Sequence, residues 1–115
     1  LIAVDVDLPC PYVPTGSSLN IPLLAELIVY GNAHVLPGEQ GRIVAARVAR
    51  NDQNNYSYFE TDGAIEGGFS GGPVIDKTQG AVVGIVRGGR GTSVKAHVRV
   101  ERLREMLTEL GYGFK

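Results

Sequence analysis

The chain has 115 residues, 43% of them hydrophobic and 20% charged. That is one domain's worth of sequence with enough apolar content to bury a core, which excludes wholesale disorder. A net charge of −1 excludes bulk attraction to nucleic acid or to a membrane surface, so neither is an expected partner. No apolar run approaches the roughly 18 residues that a membrane span needs, and no signal peptide is visible. Glycine, at 16 of 115 residues, is roughly twice as common as usual, which favours tight turns and short strands. The chain opens on Leu1 and its only methionine is Met106, so it is expected to be a piece of something larger or to have lost its start.

The single cysteine excludes an internal disulfide and a cysteine zinc site. Cys10 lies between Pro9 and Pro11 with no His or Lys beside it, and reads as an unreactive thiol. A disulfide-free chain suits a bacterial or intracellular setting and leaves cytoplasm and periplasm both open. Two isolated histidines and no cluster of acidic residues at ligand spacing imply no metal and no cofactor. The charge is unevenly spread. Residues 1–41 carry Asp5, Asp7, Glu26 and Glu39 with no Lys or Arg, whereas residues 87–104 carry six basic residues against Glu101. The plain reading is a solvated strand and helix; the sharper one is that Arg87 and Arg90 flank a groove for an acidic ligand.

Residues 1–7 alternate, with Ile2, Val4 and Val6 on one face, as in a half-buried strand. Residues 9–22 hold four of the six prolines and read as an extended surface connection. Residues 25–30 form a compact apolar strand, and residues 42–50 a longer one. A polar turn at 51–55 and a return strand at 56–61 complete a hairpin. After a glycine-dense loop at 63–72, residues 73–76 and 81–87 form two strands joined by a turn ending in Gly80. Residues 92–98 form a last strand. Val100, Leu103, Met106, Leu107 and Leu110 then fall at helical spacing, with Gly111 placed as a C-terminal cap. Many short strands and one terminal helix favour closure into a small barrel, which hides the edges.

The chemistry concentrates in Glu66-Gly67-Gly68-Phe69-Ser70-Gly71-Gly72-Pro73. A serine hydroxyl is a weak nucleophile and needs an exposed, uncrowded position. The flanking glycines let the backbone turn sharply and let a substrate chain approach. Such a turn can aim the N–H groups of Gly68 and Ser70 at one point, forming an oxyanion hole. A flexible linker is the bland alternative, but linkers run on in low-complexity sequence, and this loop is pinned between strands. A phosphate-binding loop would end in Lys-Ser/Thr and lead into a helix, and this one does neither.

Gly68-Phe69-Ser70-Gly71-Gly72-Pro73 resembles the G-x-S-G-G-P nucleophile motif of trypsin-like (chymotrypsin-fold) serine peptidases. Thr61-Asp62-Gly63-Ala64-Ile65 is similar to the lead-in of the disulfide-free HtrA/Deg branch, and residues 80–86 resemble the strand that follows the serine. The resemblance covers most of residues 25–110. It implies an all-β fold: a six- to seven-stranded antiparallel Greek-key barrel, the second barrel of a chymotrypsin-like fold, with a C-terminal α-helix. Residues 1–22 would be a strand remnant and inter-barrel connection, and residues 23–115 the serine-bearing barrel. Ser70 would be the nucleophile and Gly68 would supply an oxyanion-hole N–H. Ala64, Arg87, Gly88 and Gly89 would line the specificity pocket and the substrate-pairing edge, with Ser93 near its floor. Arg87 stands where the family more often has a small polar residue, which suggests an acidic side-chain preference. Phe69 replaces the usual Asp or Asn before the serine, so the activation switch of secreted digestive relatives is not expected.

The resemblance also implies that the triad base and acid come from a first barrel. His34 lies in a turn and His97 in the last strand, and both read as structural or solvent-facing. Leu1-Ile2-Ala3-Val4 matches the family's acid-bearing strand from Ile2 onward, which puts Leu1 in the acid's place or the acid just outside the chain; Asp5 and Asp7 lie too far along. The expectation is therefore a serine endopeptidase present as its C-terminal half, inactive alone. Its expected partners are a peptide or protein substrate and the N-terminal barrel of the same parent, with oligomeric state open. The competing readings are an inactive pseudo-peptidase that binds peptides by strand addition, and an unrelated β-barrel interaction module.

Overall fold

Period-two burial shapes the molecule, because each strand sends alternate residues into one shared interior. The computed structural model describes residues 12–31, 41–63, 65, 69–88 and 94–112. The strands are β1 (Glu26–Gly31), β2 (Arg42–Arg50), β3 (Tyr58–Gly63), β4 (Pro73–Asp76), β5 (Ala81–Gly88) and β6 (Val94–Arg99), followed by the helix α1 (Val100–Glu109). All six pair antiparallel and close into a barrel in the order β1-β2-β3-β6-β5-β4. Leu27, Val29, Val48, Phe59, Val74 and Val83 fill its interior, with Phe69 and Val86 toward the serine loop. The all-β barrel with a terminal helix expected from the sequence is the observed fold. The strand expected at residues 1–7 lies outside the described residues.

β3 starts two residues later than its pattern suggests. The Asn55 side-chain oxygen accepts from the N–H groups of Ser57 and Tyr58 at 3.1 and 3.0 Å, and so prolongs the turn. The helix ends as expected. Gly111 donates to the Thr108 carbonyl and Tyr112 to that of Leu107, with Gly111 at φ +87°. Its apolar stripe is less covered than its spacing implies. Val100 is fully buried, but Met106 and Leu110 are 42% and 58% exposed. A groove of about 510 Å³ runs between α1 and the outer barrel face, lined by Tyr58, Ile85, Val98, Leu103 and Met106.

Residues 12–22 depart from the expected surface connection. Gly16 donates to the Val82 carbonyl and Val82 to that of Pro14, each at 2.8 Å, so the segment lies against the start of β5. Ser18 and Ile21 are buried. The cause is Arg99, which the charge pattern placed on a solvated surface but which is fully buried. Its guanidinium donates to Ser18 Oγ at 2.9 Å, Asn51 Oδ1 at 2.7 Å, and the carbonyls of Ser18, Asp52 and Asn55. Ser18 Oγ in turn donates to Glu101 at 2.6 Å, in the first turn of α1. One cation thus ties the incoming segment, the β2–β3 turn and the helix start together, with its donors satisfied as burial demands.

Replacing Arg99 leaves several buried acceptors unpaired at once. Arg99→Met is expected to destabilise the fold by about 2–4 kcal/mol in urea unfolding. Arg102→Met, which removes an exposed pair with Glu105 at 2.9 Å, is expected to cost about 1 kcal/mol or less.

Candidate active site

Ser70 is exposed at a turn whose neighbours are fixed. Phe69, immediately before it, is 1% exposed, and its ring packs where a side chain on Gly31 would stand. Gly72 N–H donates to the Phe69 carbonyl at 2.9 Å and closes the turn. Gly71 occupies its third position at φ +86°, a conformation that glycine adopts without strain. Gly71 N–H donates to the Val86 carbonyl at 2.7 Å, and Val86 N–H donates to the Gly72 carbonyl at 2.9 Å, so the turn is sewn to β5. A core-anchored residue followed by an outward one is what presents the Ser70 hydroxyl to solvent.

The Ser70 hydroxyl donates to the Arg87 carbonyl at 3.2 Å. Gly88 lies beside it at φ +104°, and a Cβ there would stand 3.3 Å from Ser70 Oγ. Any larger residue at 88 would crowd the hydroxyl and strain the backbone. The Arg87 side chain turns the other way. Its guanidinium lies over the Tyr58 ring, 4.9 Å from the centroid, on the outer face of the barrel. What Arg87 places beside Ser70 is backbone. Ser70, Arg87 and Gly88 are therefore brought together at the end of β5. Gly68, Ala64, Gly89 and Ser93, and also His34 and Cys10, lie outside the described residues.

His97 is not solvent-facing. It is fully buried, its Nε2 is 2.6 Å from Thr61 Oγ1, and its ring lies 5.3 Å from that of Phe59. Its Nδ1 has no hydrogen-bond partner among the described residues. Desolvation lowers its pKa from the ordinary 6.5 to about 4, so it is neutral at pH 7. The structural reading of His97 is the correct one. The role of Phe69 as the anchor of the serine turn was not read from the sequence; the signal available was a lone aromatic residue inside a run of glycines.

The sequence pattern of the trypsin-like peptidase domain matches residues 1–85, and the chain belongs to that family. It is similar to the mitochondrial serine protease HTRA2 of Bos taurus, 29% identical over 105 residues. That match takes in 86% of this chain and 23% of the bovine protein. Its fold is similar to that of Rv3671c from M. tuberculosis, solved as an inactive serine-to-alanine mutant. The TM-score is 0.69 at 20% identity, covering 91% of this chain and 56% of the other. The chain thus spans about a quarter of the bovine protein and just over half of the mycobacterial one, and its sequence resembles that of an HtrA-type serine peptidase.

The buried neutral His97 has a measurable consequence. Its folded pKa is depressed, so between pH 6.5 and about 4 the unfolded chain binds a proton that the folded chain refuses. Its contribution to stability is complete above pH 6.5 and falls by about 3 kcal/mol as the pH drops to 4. Urea midpoints measured from pH 7 to 4 are expected to fall more steeply for the wild type than for His97→Gln.

Proposed function

We propose that this chain is the serine-bearing half of a two-barrel serine endopeptidase. Ser70 attacks the scissile carbonyl and carries the acyl group, with the N–H groups of Gly68 and Ser70 holding the oxyanion. The end of β5 at Arg87 and Gly88 offers backbone to the extended substrate, and Ala64, Gly89 and Ser93 complete the binding edge and pocket. The triad base and acid come from an N-terminal barrel of the parent protein, and the 115-residue piece does not hydrolyse peptides by itself.

The observation that carries this reading is the Ser70 turn. Its hydroxyl is exposed, bonded among the described residues to a strand-end carbonyl, and faced there by Gly88 rather than a side chain. That bond is long enough to yield to a base, and the space over Gly88 admits a substrate carbonyl. His97 is already paired with Thr61 inside the core, which supports a base supplied from outside the chain. Membership of the trypsin-like peptidase family supports the chemistry.

In the full parent protein, Ser70→Ala is expected to lower kcat on an unfolded protein substrate by at least about 10⁴-fold while leaving the thermal midpoint unchanged. Activity retained in that variant would remove Ser70 as the nucleophile. A parent with no Ser70-dependent turnover, yet with affinity for extended peptides, would favour the binding-only reading.

A further inference from the structure

We infer that Lys95 lines the mouth of the barrel beside Ser70 and selects substrates with an acidic side chain, Asp or Glu, on the residue that donates the scissile carbonyl. This rests on the peptidase reading of Ser70 and names the substrate class of that same site.

The placement follows from strand parity. On β6, His97 and Arg99 are fully buried while Val94, at the start of the strand, is 37% exposed. Lys95 shares the face of His97 and Arg99 and therefore points inward. The register agrees. Lys95 is directly opposite Thr61 and His97 is opposite Phe59, and both β3 partners are buried residues of the interior. Directly opposed residues of an antiparallel pair share a face. Lys95 is half-buried, one step nearer the barrel mouth than the closed layer of Phe59, His97 and Val86.

The positions around Lys95 leave room. The next inward position on β3 is Gly63; on β5 a bulge follows Val86, and Gly88, which pairs with Ala96 next to Lys95, abuts Ser70 Oγ. Neither has a side chain. Neighbouring strands lie about 4.8 Å apart, so a side chain entering over Gly88 comes within reach of the Lys95 ammonium on the adjacent strand. The acidic groups of β3 do not compete for that space. Glu60 and Asp62 occupy the opposite parity, and the Asp62 carboxylate accepts from Arg47 N–H at 3.0 Å. Below the mouth, Thr61 and His97 are polar but uncharged at neutral pH. Among the described residues facing this mouth, Lys95 brings the formal charge. An ammonium has three N–H donors, so it donates to a carboxylate while keeping another partner. Half-burial strengthens the pairing relative to a surface contact.

The sequence placed the same preference on Arg87. The structure turns the Arg87 guanidinium onto Tyr58, outside the barrel, and puts the inward cation one strand away.

The test uses the full parent protein and peptides amidated at the C-terminus, which removes the terminal carboxylate as a competing anion. Wild type is expected to cleave after Glu or Asp about tenfold or more faster, by kcat/KM, than after Gln or Asn. Lys95→Met is expected to abolish that ratio while keeping turnover after neutral residues, and Lys95→Arg to retain part of it. Equal ratios in wild type and Lys95→Met, with Ser70-dependent cleavage intact, would overturn the inference and leave the peptidase reading standing. A second readout needs no turnover. In the Ser70→Ala background, a fluorescent peptide with an internal Glu is expected to bind about tenfold tighter than its Gln twin, and Lys95→Met to erase the difference. Equal affinities for the two peptides would refute it even where the parent shows no catalysis.

Discussion

The buried ring of Phe69 decides where Ser70 points. Consecutive residues at a strand-like turn face opposite ways, so sinking Phe69 into the core against Gly31 forces the next side chain outward. The two backbone bonds to Val86 then hold the turn against the end of β5. A hydroxyl on a flexible loop would sample many positions, whereas this one is confined beside Arg87 carbonyl and Gly88. Preorganisation of that kind is what a nucleophile needs, because misplacement by an ångström is costly. Core packing and chemistry are thus parts of one local arrangement.

A second arrangement holds the frame around it. Arg99 is fully buried, and it gathers the incoming segment, the β2–β3 turn and the first turn of α1. Glu101 completes the cluster through Ser17 and Ser18, and hydrogen bonds from those residues hold its pKa below the ordinary carboxylate range against the opposing effect of burial. The inward face of β6 therefore reads Lys95, His97, Arg99. Polarity along this one strand runs from the mouth to the far end of the barrel, met by Thr61 of β3, while the other strands supply most of the apolar interior. Arg99 is fully paired and His97 is paired through Nε2, while His97 Nδ1 has no partner among the described residues.

Much of this was legible in the sequence. The short alternating segments, the turn residues and the helical spacing after Val100 led to the barrel and its terminal helix. The Gly68–Pro73 motif drew attention to Ser70, which is exposed at a turn held against β5. What escaped reading shares a cause: it depends on which face a strand turns inward. Arg99 looked like a solvated residue because its charge argues for exposure, and His97 was left open between a structural and a solvent-facing role; both are buried on the inward face of β6. Arg87 looked like a pocket residue by position along the chain, yet one step of parity sends its guanidinium outward to Tyr58. Ser18 sat in a proline-rich stretch that reads as exposed, and its partners are 33 to 83 residues away. Long-range partners of that kind leave no local pattern.

The proposed chemistry requires that Ser70 be activated by a base outside these 115 residues. Fluorophosphonate labelling of the intact parent, with the adduct mapped by mass spectrometry, tests it most directly when each histidine of the parent is replaced by Gln in turn. An adduct is expected on Ser70 that persists in His34→Gln and His97→Gln and disappears when one histidine outside this chain is replaced. Loss of labelling on replacing His34, with every outside histidine tolerated, would contradict it.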